Sequence, residues 1–323
     1  MTERMGILVT GGAGFIGSNL CDKLLEKNFN VYCLDNFNNY YNPRFKWQNI
    51  EKALQNKNFK LLKIDIRNSK KLARAFSQEK IDKIVHLAAR AGVRSSIENP
   101  RLYEEVNVRG TLNLLEQARI HKIRDFILGS SSSVYGNLNK FPLSENDSVN
   151  TPISPYAATK RCSELITYTY HHLYGLNCTL LRFFSVYGPR GRPDMAPYLF
   201  TKAIFSDKPI YKFGKGETAR DWTYVDDIAS GIISSLDKKF GYQIINLGNS
   251  HPITLNQLIS TVQGKCDKKA KVIQKEEKEG EVKITYADIS KAKKLLGWQP
   301  KVKFEDGLEK FIDWFKESGR AKN

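Results

Sequence analysis

The sequence GILVTGGAGFIG at residues 6–17 decides the fold. Its first residues are mostly apolar and β-branched, which predicts a buried strand that runs into a glycine loop. The spacing Gly12-x-Gly14-x-x-Gly17 fits a dinucleotide-binding loop, and Gly11-x-x-Gly14-x-x-Gly17 overlays it. Glycine permits the tight turn and lets backbone N–H groups approach a diphosphate at the start of the next helix. Strand, loop and helix together predict a dinucleotide site.

An acidic residue follows the glycine loop at the distance that a dinucleotide site requires. Asp35 ends the next predicted strand, 18 residues after Gly17. A carboxylate at this position accepts hydrogen bonds from the hydroxyls of an adenosine ribose and repels a 2′-phosphate. The sequence therefore predicts NAD, rather than NADP, as the cofactor.

The first half of the chain alternates short β-branched runs with helical patterns, which is typical of a parallel sheet built from βαβ units. Strands are predicted at residues 6–10, 30–35, 59–65, 83–88, 124–130 and 177–183. Helices are predicted at residues 14–27, 69–79, 103–121 and 156–174. Six strands in this alternation predict an α/β fold with a doubly wound parallel sheet, the Rossmann arrangement.

The residue pattern changes after residue 183. Prolines and glycines are frequent in residues 185–221, so we expect loops there, with one helix near 198–205. Residues 242–247 are a candidate further strand of the sheet, and a last helix is expected near 304–316. We therefore predict an NAD-binding Rossmann domain from residues 1–183 and 224–250. Residues 184–223 and 251–323 would form a smaller C-terminal substrate-binding lobe.

The composition limits the class of protein. The 323 residues are 41% hydrophobic and 26% charged, which excludes wholesale disorder, and no apolar run is long enough for a membrane span. The net charge of +17 comes from lysines that are spread out and mixed with glutamates, so no nucleic-acid partner is expected. The five cysteines lack metal-binding spacing, so no metal is expected. The N-terminus lacks a signal-peptide pattern, which favours a cytoplasmic protein.

A second group of polar residues predicts acid–base chemistry. Tyr156 and Lys160 are one turn apart on a predicted helix, so their side chains share one face. An ammonium group beside a phenol favours the phenolate, which predicts a lowered tyrosine pKa and a general base that works near neutral pH. Four serines, residues 130–133, follow a predicted strand. Because such sheets bind ligands at the carboxyl ends of their strands, we expect one serine to hydrogen-bond the hydroxyl that Tyr156 deprotonates.

These motifs resemble, nearly from end to end, the extended short-chain dehydrogenases/reductases of the nucleotide-sugar epimerase/dehydratase family. The matching stretches are TGGAGFIG (10–17), HLAA (86–89), VNVRGT (106–111), SSSSVYG (130–136), YAATK (156–160), RFFSVYGP (182–189), RDWTYVDD (220–227) and ADISK (287–291). Within the family, DNFNNYY (35–41), AGVRSSIENP (91–100) and GPRGRPDMA (188–196) are similar to the UDP-glucuronate 4-epimerases. The resemblance implies NAD as the cofactor, a UDP-sugar as the substrate and epimerisation through a transient 4-keto sugar.

The resemblance also implies roles for individual residues. Tyr156 matches the catalytic base, Lys160 the lysine that also holds the nicotinamide ribose, and Ser131 the hydroxyl of the catalytic triad. The residues expected at the cofactor are Gly11, Gly14, Phe15, Ile16, Gly17, Asp35, Asn36, Asp65, Ile66, Leu87, Ala88, Ala89, Asn107, Ser130, Tyr156, Lys160 and Phe183. Those expected at the substrate are Arg94, Ser131, Ser132, Ser133, Tyr156, Ser185, Arg192 and Arg220. Arg220 would contact the substrate diphosphate, and Ser133, Ser185 and Arg192 the carboxylate of the sugar.

The chain departs from the family pattern at two places. Arg90 stands where a glutamine is common, and KEGEV (278–282) stands where a PGDV-like run is usual. Both departures leave the local nucleotide contacts open.

Several alternative functions stay open at this point. A 4,6-dehydratase is disfavoured, because family dehydratases carry an Asp-Glu pair where Ser132 and Ser133 stand. A UDP-glucuronate decarboxylase usually carries a glutamate near Ser133 and is less expected. A 4-epimerase of UDP-glucose or of a UDP-N-acetylhexosamine is the main alternative, and an NAD-binding protein without catalysis is a further one. The family implies a homodimer formed through the helices near residues 102–121 and 156–174.

Overall fold

The computed structural model describes residues 4–276 and 282–320, so the departure at 278–282 lies almost wholly outside the described residues. The strands are β1 (Gly6–Thr10), β2 (Asn30–Asp35), β3 (Phe59–Lys63), β4 (Lys83–His86), β5 (Asp125–Ser131), β6 (Asn177–Phe183), β7 (Ser185–Tyr187), β8 (Ile210–Phe213), β9 (Ala219–Tyr224), β10 (Tyr242–Leu247), β11 (Pro252–Thr254), β12 (Val272–Lys275) and β13 (Ile284–Thr285). The α-helices are α1 (Phe15–Glu26), α2 (Pro43–Ile50), α3 (Ser69–Gln78), α4 (Val93–Glu98), α5 (Pro100–Tyr103), α6 (Gly110–Ile120), α7 (Pro155–Tyr174), α8 (Ala196–Phe205), α9 (Val225–Ser235), α10 (Leu255–Cys266), α11 (Ser290–Leu296) and α12 (Phe304–Glu317).

Seven parallel strands form the main sheet in the order β10-β6-β5-β4-β1-β2-β3. The chain adds strands first on one side of β1 and then on the other, so the strand order reverses between β1 and β4. The doubly wound sheet is therefore confirmed, and the run at 242–247 joins it as β10. Strands β3 and β4 end slightly before their predicted ends. Open sheets of this kind bind ligands at the reversal point, outside the carboxyl ends of the strands.

Both faces of the main sheet are covered by helices. Ile7 and Val9 of β1 belong to one apolar cluster, which includes residues of α1 and α9. Leu8, between them, belongs to a second cluster, which includes residues of α3 and α6. Because neighbouring residues of a strand point to opposite faces, a strand that is apolar throughout fits a sheet buried on both sides. Across the described ranges, no helix combines the length and the apolar character that a membrane crossing requires.

Residues 185–221 contain more regular structure than the predicted loops. Strands β7, β11 and β13 pair with β9, and β8 pairs with β12. These strands have two to six residues and are separated by prolines and glycines, so their alternation is too short to stand out in the sequence. The helix predicted at 198–205 is present as α8, and the last helix as α12. Tyr198 and Phe315 join these two helices, with ring centroids 5.0 Å apart.

The prediction of a single α-helix at 103–121 is wrong in its first third. After α5, residues Glu104–Arg109 form a π-helical segment, and α6 begins only at Gly110. The Asn107 side chain in this segment donates to the Arg90 carbonyl (3.0 Å) and to Oγ1 of Thr159 (3.0 Å), and accepts from the Arg90 N–H (2.8 Å). These bonds tie three segments together beside the sheet's reversal point. Single π-turns inside helices often occur at functional sites.

Candidate active site

A cleft opens above the carboxyl ends of β1, β4 and β5, where the strand order reverses. It contains about 1330 Å³ of empty space, its open mouth included. Its walls come from the glycine loop, from the ends of β2, β4 and β5, and from the segment after β6.

The glycines of the loop let backbone segments of the protein pack closely against one another. Gly11 has a φ of +67°, and a Cβ there would lie 2.9 Å from the backbone of Ala88. A Cβ on Gly17 would collide with the carbonyl oxygen of Gly11. Helix α1 begins directly after Gly14, and its first residues line the cleft. The positive end of the helix dipole and the N–H groups of its first turn therefore fit a diphosphate.

Asp35 lies at the end of β2 and lines the cleft. Its Oδ1 accepts hydrogen bonds from the N–H of Phe37 (2.8 Å) and from Nζ of Lys46 (3.0 Å). The side chains of Lys46 and Asp35 are only 7% and 4% exposed, so they form a buried ion pair. Among the described residues none donates to Oδ2 of Asp35, which leaves this atom able to accept from a ribose hydroxyl.

The neighbouring strand end carries Asp65 and Ile66. Asp65 accepts hydrogen bonds from Nδ2 of Asn36 (2.9 Å) and from Nε and NH2 of Arg67 (3.1 and 2.8 Å). Burial raises the pKa of Asp65, but the hydrogen bonds from Arg67 and Asn36 outweigh burial and lower the pKa to about 2. Asn36 and Ile66 line the cleft, whereas Asp65 orders the wall behind it.

The structure brings Tyr156 and Ser131 together. Ser154 caps α7 by accepting a hydrogen bond from the N–H of Ala157 (3.1 Å), and Pro155 occupies the first turn. This cap fixes where the helix begins, so Tyr156 projects into the cleft from its first turn. Ser131 ends β5 and lines the same cleft, where its hydroxyl lies close enough to Tyr156 to lower the pKa of the phenol. The two hydroxyl groups expected to act on one substrate hydroxyl are therefore neighbours.

The expectation of a lowered tyrosine pKa is wrong for this structure. Burial raises the pKa of Tyr156, while the hydrogen bond with Ser131 and the charge of Arg192 act in the opposite direction. Lys160 lies on the same helix, is 6% exposed and donates from Nζ to the Gly129 carbonyl (2.6 Å). Burial lowers the pKa of Lys160 to about 8, against the raising effect of the nearby Glu164 carboxylate. Burial thus disfavours the charged forms of both side chains.

The opposite wall of the cleft carries Ser185 and Arg192. Arg192 makes a two-point ion pair with Asp194, from Nε to Oδ1 (3.0 Å) and from NH2 to Oδ2 (2.8 Å). The hydroxyl of Tyr40 donates to the same Asp194 carboxylate (3.3 Å), and the Arg192 guanidinium lies 5.7 Å from the centroid of the Tyr40 ring. Arg192 is therefore already held by an acid of the protein, which the sequence did not indicate.

Several residues expected at the ligands do not line the cleft. Arg94 lies over the ring of Phe213, 5.7 Å from its centroid, and Arg220 donates to the carbonyls of Ala219 (2.9 Å) and Lys283 (3.3 Å). Ser132 and Ser133 form a short 3₁₀ turn, in which the N–H of Ser133 donates to Oγ of Ser131 (3.1 Å). Asn107 fixes the backbone of Arg90. The expected cofactor residues that do line the cleft are Gly11, Gly14, Phe15, Ile16, Gly17, Asp35, Asn36, Ile66, Leu87, Ala88, Ala89, Ser130, Tyr156, Lys160 and Phe183.

Sequence reasoning missed several side chains of the cleft, including those of Tyr40, Lys46 and Arg90. Tyr40 and Lys46 lie after β2, and Lys46 belongs to α2, a helix that was not predicted. The dipeptide Asn42-Pro43 was the available signal, since Asn42 caps α2 by accepting from the N–H of Arg44 (3.0 Å). Arg90, noted above only as a departure, also lines the cleft.

The doubly wound sheet, the glycine loop and the Tyr156–Lys160–Ser131 group define a short-chain dehydrogenase/reductase with a dinucleotide-binding site. The family described as GDP-mannose 4,6 dehydratase matches residues 8–311, and the chain belongs to this family.

Three similar proteins show which activities occur among the relatives of this chain. The UDP-glucuronate 4-epimerase of Thermodesulfobacterium geofontis is 47% identical over 312 residues, which are 96% of each chain. The crystal structure of UDP-glucuronic acid 4-epimerase from Bacillus cereus, in complex with UDP-glucuronic acid and NAD, is 38% identical with a TM-score of 0.92 and covers 97% of this chain and 100% of that one. UDP-glucose 4-epimerase of Thermotoga maritima, solved with UDP-glucose, is 32% identical with a TM-score of 0.90 and covers 97% and 99%.

Proposed function

We propose that this protein is an NAD-dependent 4-epimerase that interconverts UDP-glucuronate and UDP-galacturonate. One observation carries the proposal: the same cleft presents the neighbouring Tyr156 and Ser131 on one wall and the Arg192 guanidinium on the other. The first pair suits proton transfer at a sugar hydroxyl, and an arginine suits a carboxylate. The relatives from T. geofontis and B. cereus carry this activity in their names.

The residues of the cleft fit NAD. The first turn of α1 behind the glycine loop and the free Oδ2 of Asp35 suit a diphosphate and a ribose with free hydroxyls. Lys160 would hold the nicotinamide ribose. When bound, NAD supplies the group that accepts a hydride from the sugar carbon and later returns it.

Tyr156 would take the proton of the sugar's 4-hydroxyl on its phenolic oxygen and return it when the carbonyl is reduced from the other face. Ser131 would hold the same sugar oxygen, first as a hydroxyl and then as a keto oxygen. Because burial raises the pKa of Tyr156, the phenolate needs the stabilisation that the Ser131 hydrogen bond and the Arg192 charge provide. A buried cation at Lys160, one turn along α7, adds to this stabilisation.

Arg192 and Ser185 would hold the carboxylate of the uronate. A 4-keto uronate is a β-keto acid and can lose CO₂, so an epimerase must keep the carboxylate out of the orientation that favours this loss. The ion pair with Asp194 uses Nε and NH2 of Arg192, and NH1 donates to no described residue. NH1 and the outer hydrogen of NH2 could therefore receive a second carboxylate.

The remaining assignments follow the family resemblance. We propose residues 184–223 and 251–323 as the UDP-sugar-binding lobe, with Ser132, Ser133, Arg94 and Arg220 as further substrate contacts. These four side chains lie outside the cleft lining, so their assignment rests on the resemblance alone.

We also propose a homodimer through α6 and α7. Both helices carry exposed apolar side chains: Ile120 on α6 is 54% exposed, and Leu165 and Leu173 on α7 are 52% and 60% exposed. A second copy of the chain would bury this surface.

One observation favours a second candidate, a 4-epimerase of a neutral sugar such as UDP-glucose. Asp194 already neutralises Arg192, so the wall opposite Tyr156 has less net charge to offer a carboxylate. Proton NMR of UDP-glucuronate, incubated with the purified protein and NAD, separates the two candidates. A mixture of UDP-glucuronate and UDP-galacturonate without net NADH supports the proposal. An unchanged spectrum together with conversion of UDP-glucose favours the second candidate, and formation of a UDP-pentose identifies a decarboxylase.

Replacing Arg192 by methionine should separate the two substrates. If Arg192 holds the uronate, Arg192→Met lowers kcat/KM for UDP-glucuronate about 10- to 100-fold, the usual cost of a lost hydrogen bond to a charged group. It should lower any activity on UDP-glucose less, because that substrate loses only the contribution of the Arg192 charge to the Tyr156 phenolate. The matched control is Arg190→Met, in the same loop, because Arg190 pairs with Asp22 (2.7 Å) and does not line the cleft. Equal losses on both substrates would contradict the carboxylate role.

A further inference from the structure

Arg90 is a cation of the cleft without an acidic partner. It follows β4 and lines the cleft at the reversal point of the sheet. No described carboxylate lies within ion-pair distance of it, whereas Arg192 pairs with Asp194, Arg67 with Asp65, and Lys46 with Asp35. The walls of the cleft therefore hold one arginine whose charge the protein leaves uncompensated.

The pKa values of Arg90 and of the paired arginines shift in opposite directions. The carboxylates of Asp194 and Asp65 raise the pKa of Arg192 and of Arg67, despite the opposing effect of burial. Burial lowers the pKa of Arg90, and the nearby tyrosines and Asp65 offset this only in part. The charged guanidinium of Arg90 thus loses hydration in the folded protein without gaining an ion pair. An anionic ligand would supply the missing ion pair.

The position of Arg90 is fixed by its neighbours. Both the N–H and the carbonyl of Arg90 are bonded to the Asn107 amide, at 2.8 and 3.0 Å. Its guanidinium lies 5.3 Å from the centroid of the Tyr40 ring. Tyr40 is itself held through its hydroxyl by Asp194 and through its N–H by Oδ1 of Asn38. A guanidinium that is stacked on a fixed ring presents its N–H groups in one plane and loses little freedom when it binds.

The strand end that leads to Arg90 runs against the glycine loop. A Cβ on Gly11 would lie 2.9 Å from both the N and the Cα of Ala88, two residues before Arg90. The loop and the first turn of α1 are the place where this fold accommodates a diphosphate. Arg90 therefore enters the cleft close to that place, from the opposite side of the reversal point.

We propose that Arg90 binds the diphosphate of a nucleotide in this cleft. The inference rests on the proposed function, which brings two such groups, one in NAD and one in the UDP-sugar. Guanidinium groups bind phosphate oxygens through two parallel hydrogen bonds, and a diphosphate supplies the negative charge that the walls lack here. Arg90 would thus add a charged binding contact at a position where a neutral glutamine is common in the family.

Isothermal titration of the full chain with NAD, and separately with UDP, tests the proposal. Arg90→Gln removes the charge and keeps a hydrogen-bonding side chain, and we expect it to weaken binding about 10- to 100-fold for the nucleotide that Arg90 contacts. Arg90→Lys keeps the charge without the planar group and should lose less. The matched control, Arg74→Gln, changes an exposed arginine of α3 away from the cleft.

The pattern of the losses identifies the source of the diphosphate. Loss for NAD alone assigns Arg90 to the cofactor, and loss for UDP alone assigns it to the substrate. Unchanged dissociation constants for both ligands in Arg90→Gln, with the wild type binding both, would overturn the inference and leave the proposed function standing. A wild-type protein that binds neither ligand would overturn the proposed function itself. An unchanged melting temperature of Arg90→Gln without ligand separates lost binding from lost folding.

Discussion

Replacing Tyr156 by phenylalanine is expected to lower kcat for the epimerisation about 10²- to 10⁴-fold, the usual contribution of a positioned general acid–base group. Tyr156→Phe removes only the phenolic oxygen, which lies beside Ser131 in the cleft. The ring itself packs edge-on against Tyr103, with centroids 6.3 Å apart, and this contact is kept in the variant. Binding of NAD and of UDP-glucuronate should therefore be preserved while turnover is lost.

A second tyrosine provides the control for this experiment. Tyr211 on β8 is 48% exposed and lies outside the cleft, so Tyr211→Phe should keep wild-type kcat. Single-turnover measurement of NADH formation from bound NAD would separate the chemical step from product release. Full activity in Tyr156→Phe would mean that another group takes the sugar proton, and a parallel loss of NAD binding would mean that Tyr156 acts mainly in cofactor positioning.

The main sheet could be predicted from the sequence because its strands are buried on both faces. β1, β2 and β6 have the bounds that were expected, since a continuous apolar run marks a strand between two layers of helices. The short strands around β9 could not be predicted, because each is defined by its partner and not by its own pattern. The π-helical segment Glu104–Arg109 depends on hydrogen bonds that Asn107 makes to distant residues, and no local signal encodes them.

The candidate site, like the fold, could be predicted only in part. Asp35 and Tyr156 were predicted from their spacing to motifs, and Ser131 and Arg192 from the family resemblance; all four line the cleft. Their electrostatic environment was not predictable from the sequence, since it comes from burial and from partners elsewhere in the chain. Such a partner is Lys46 for Asp35. The raised pKa of Tyr156, opposite to the expectation, has the same origin, because spacing along a helix carries no information on burial.

The second large effect is expected from replacing a buried carboxylate beneath the site, that of Glu164. Glu164 is fully buried and accepts hydrogen bonds from Nε and NH2 of Arg182 (both 2.8 Å), from Oγ of Ser130 (2.7 Å) and from NH1 of Arg161 (3.0 Å). Glu164→Gln would leave the buried charge of Arg182 without its partner. Breaking a buried pair in this way typically costs about 3–5 kcal/mol, so we expect that loss in the free energy of unfolding at neutral pH.

The pH dependence of stability should change in a defined direction. Burial raises the pKa of Glu164, but the hydrogen bonds and charge of Arg182 outweigh burial, so the folded-state pKa lies below the ordinary 4.5. A depressed carboxyl pKa stabilises the folded state above the ordinary pKa, and this stabilisation is lost as the pH falls through the folded-state pKa. Glu164→Gln should lack this component, so urea denaturation between pH 7 and pH 3, followed by circular dichroism, should give a flatter stability profile for the variant.

The same substitution should move the alkaline limit of activity, which a purely structural role would not do. Glu164 raises the pKa of Lys160, which burial lowers to about 8. Without the carboxylate, Lys160 loses its proton at lower pH, so kcat of Glu164→Gln should begin to fall below the pH at which the wild type does. The control is Glu309→Gln, which removes a carboxylate from the exposed pair with Lys265 (2.6 Å) and should change neither profile. If Glu164→Gln destabilises the protein without shifting the alkaline limit, Glu164 only stabilises the fold beneath the site. If both changes occur, Glu164 also keeps Lys160 charged.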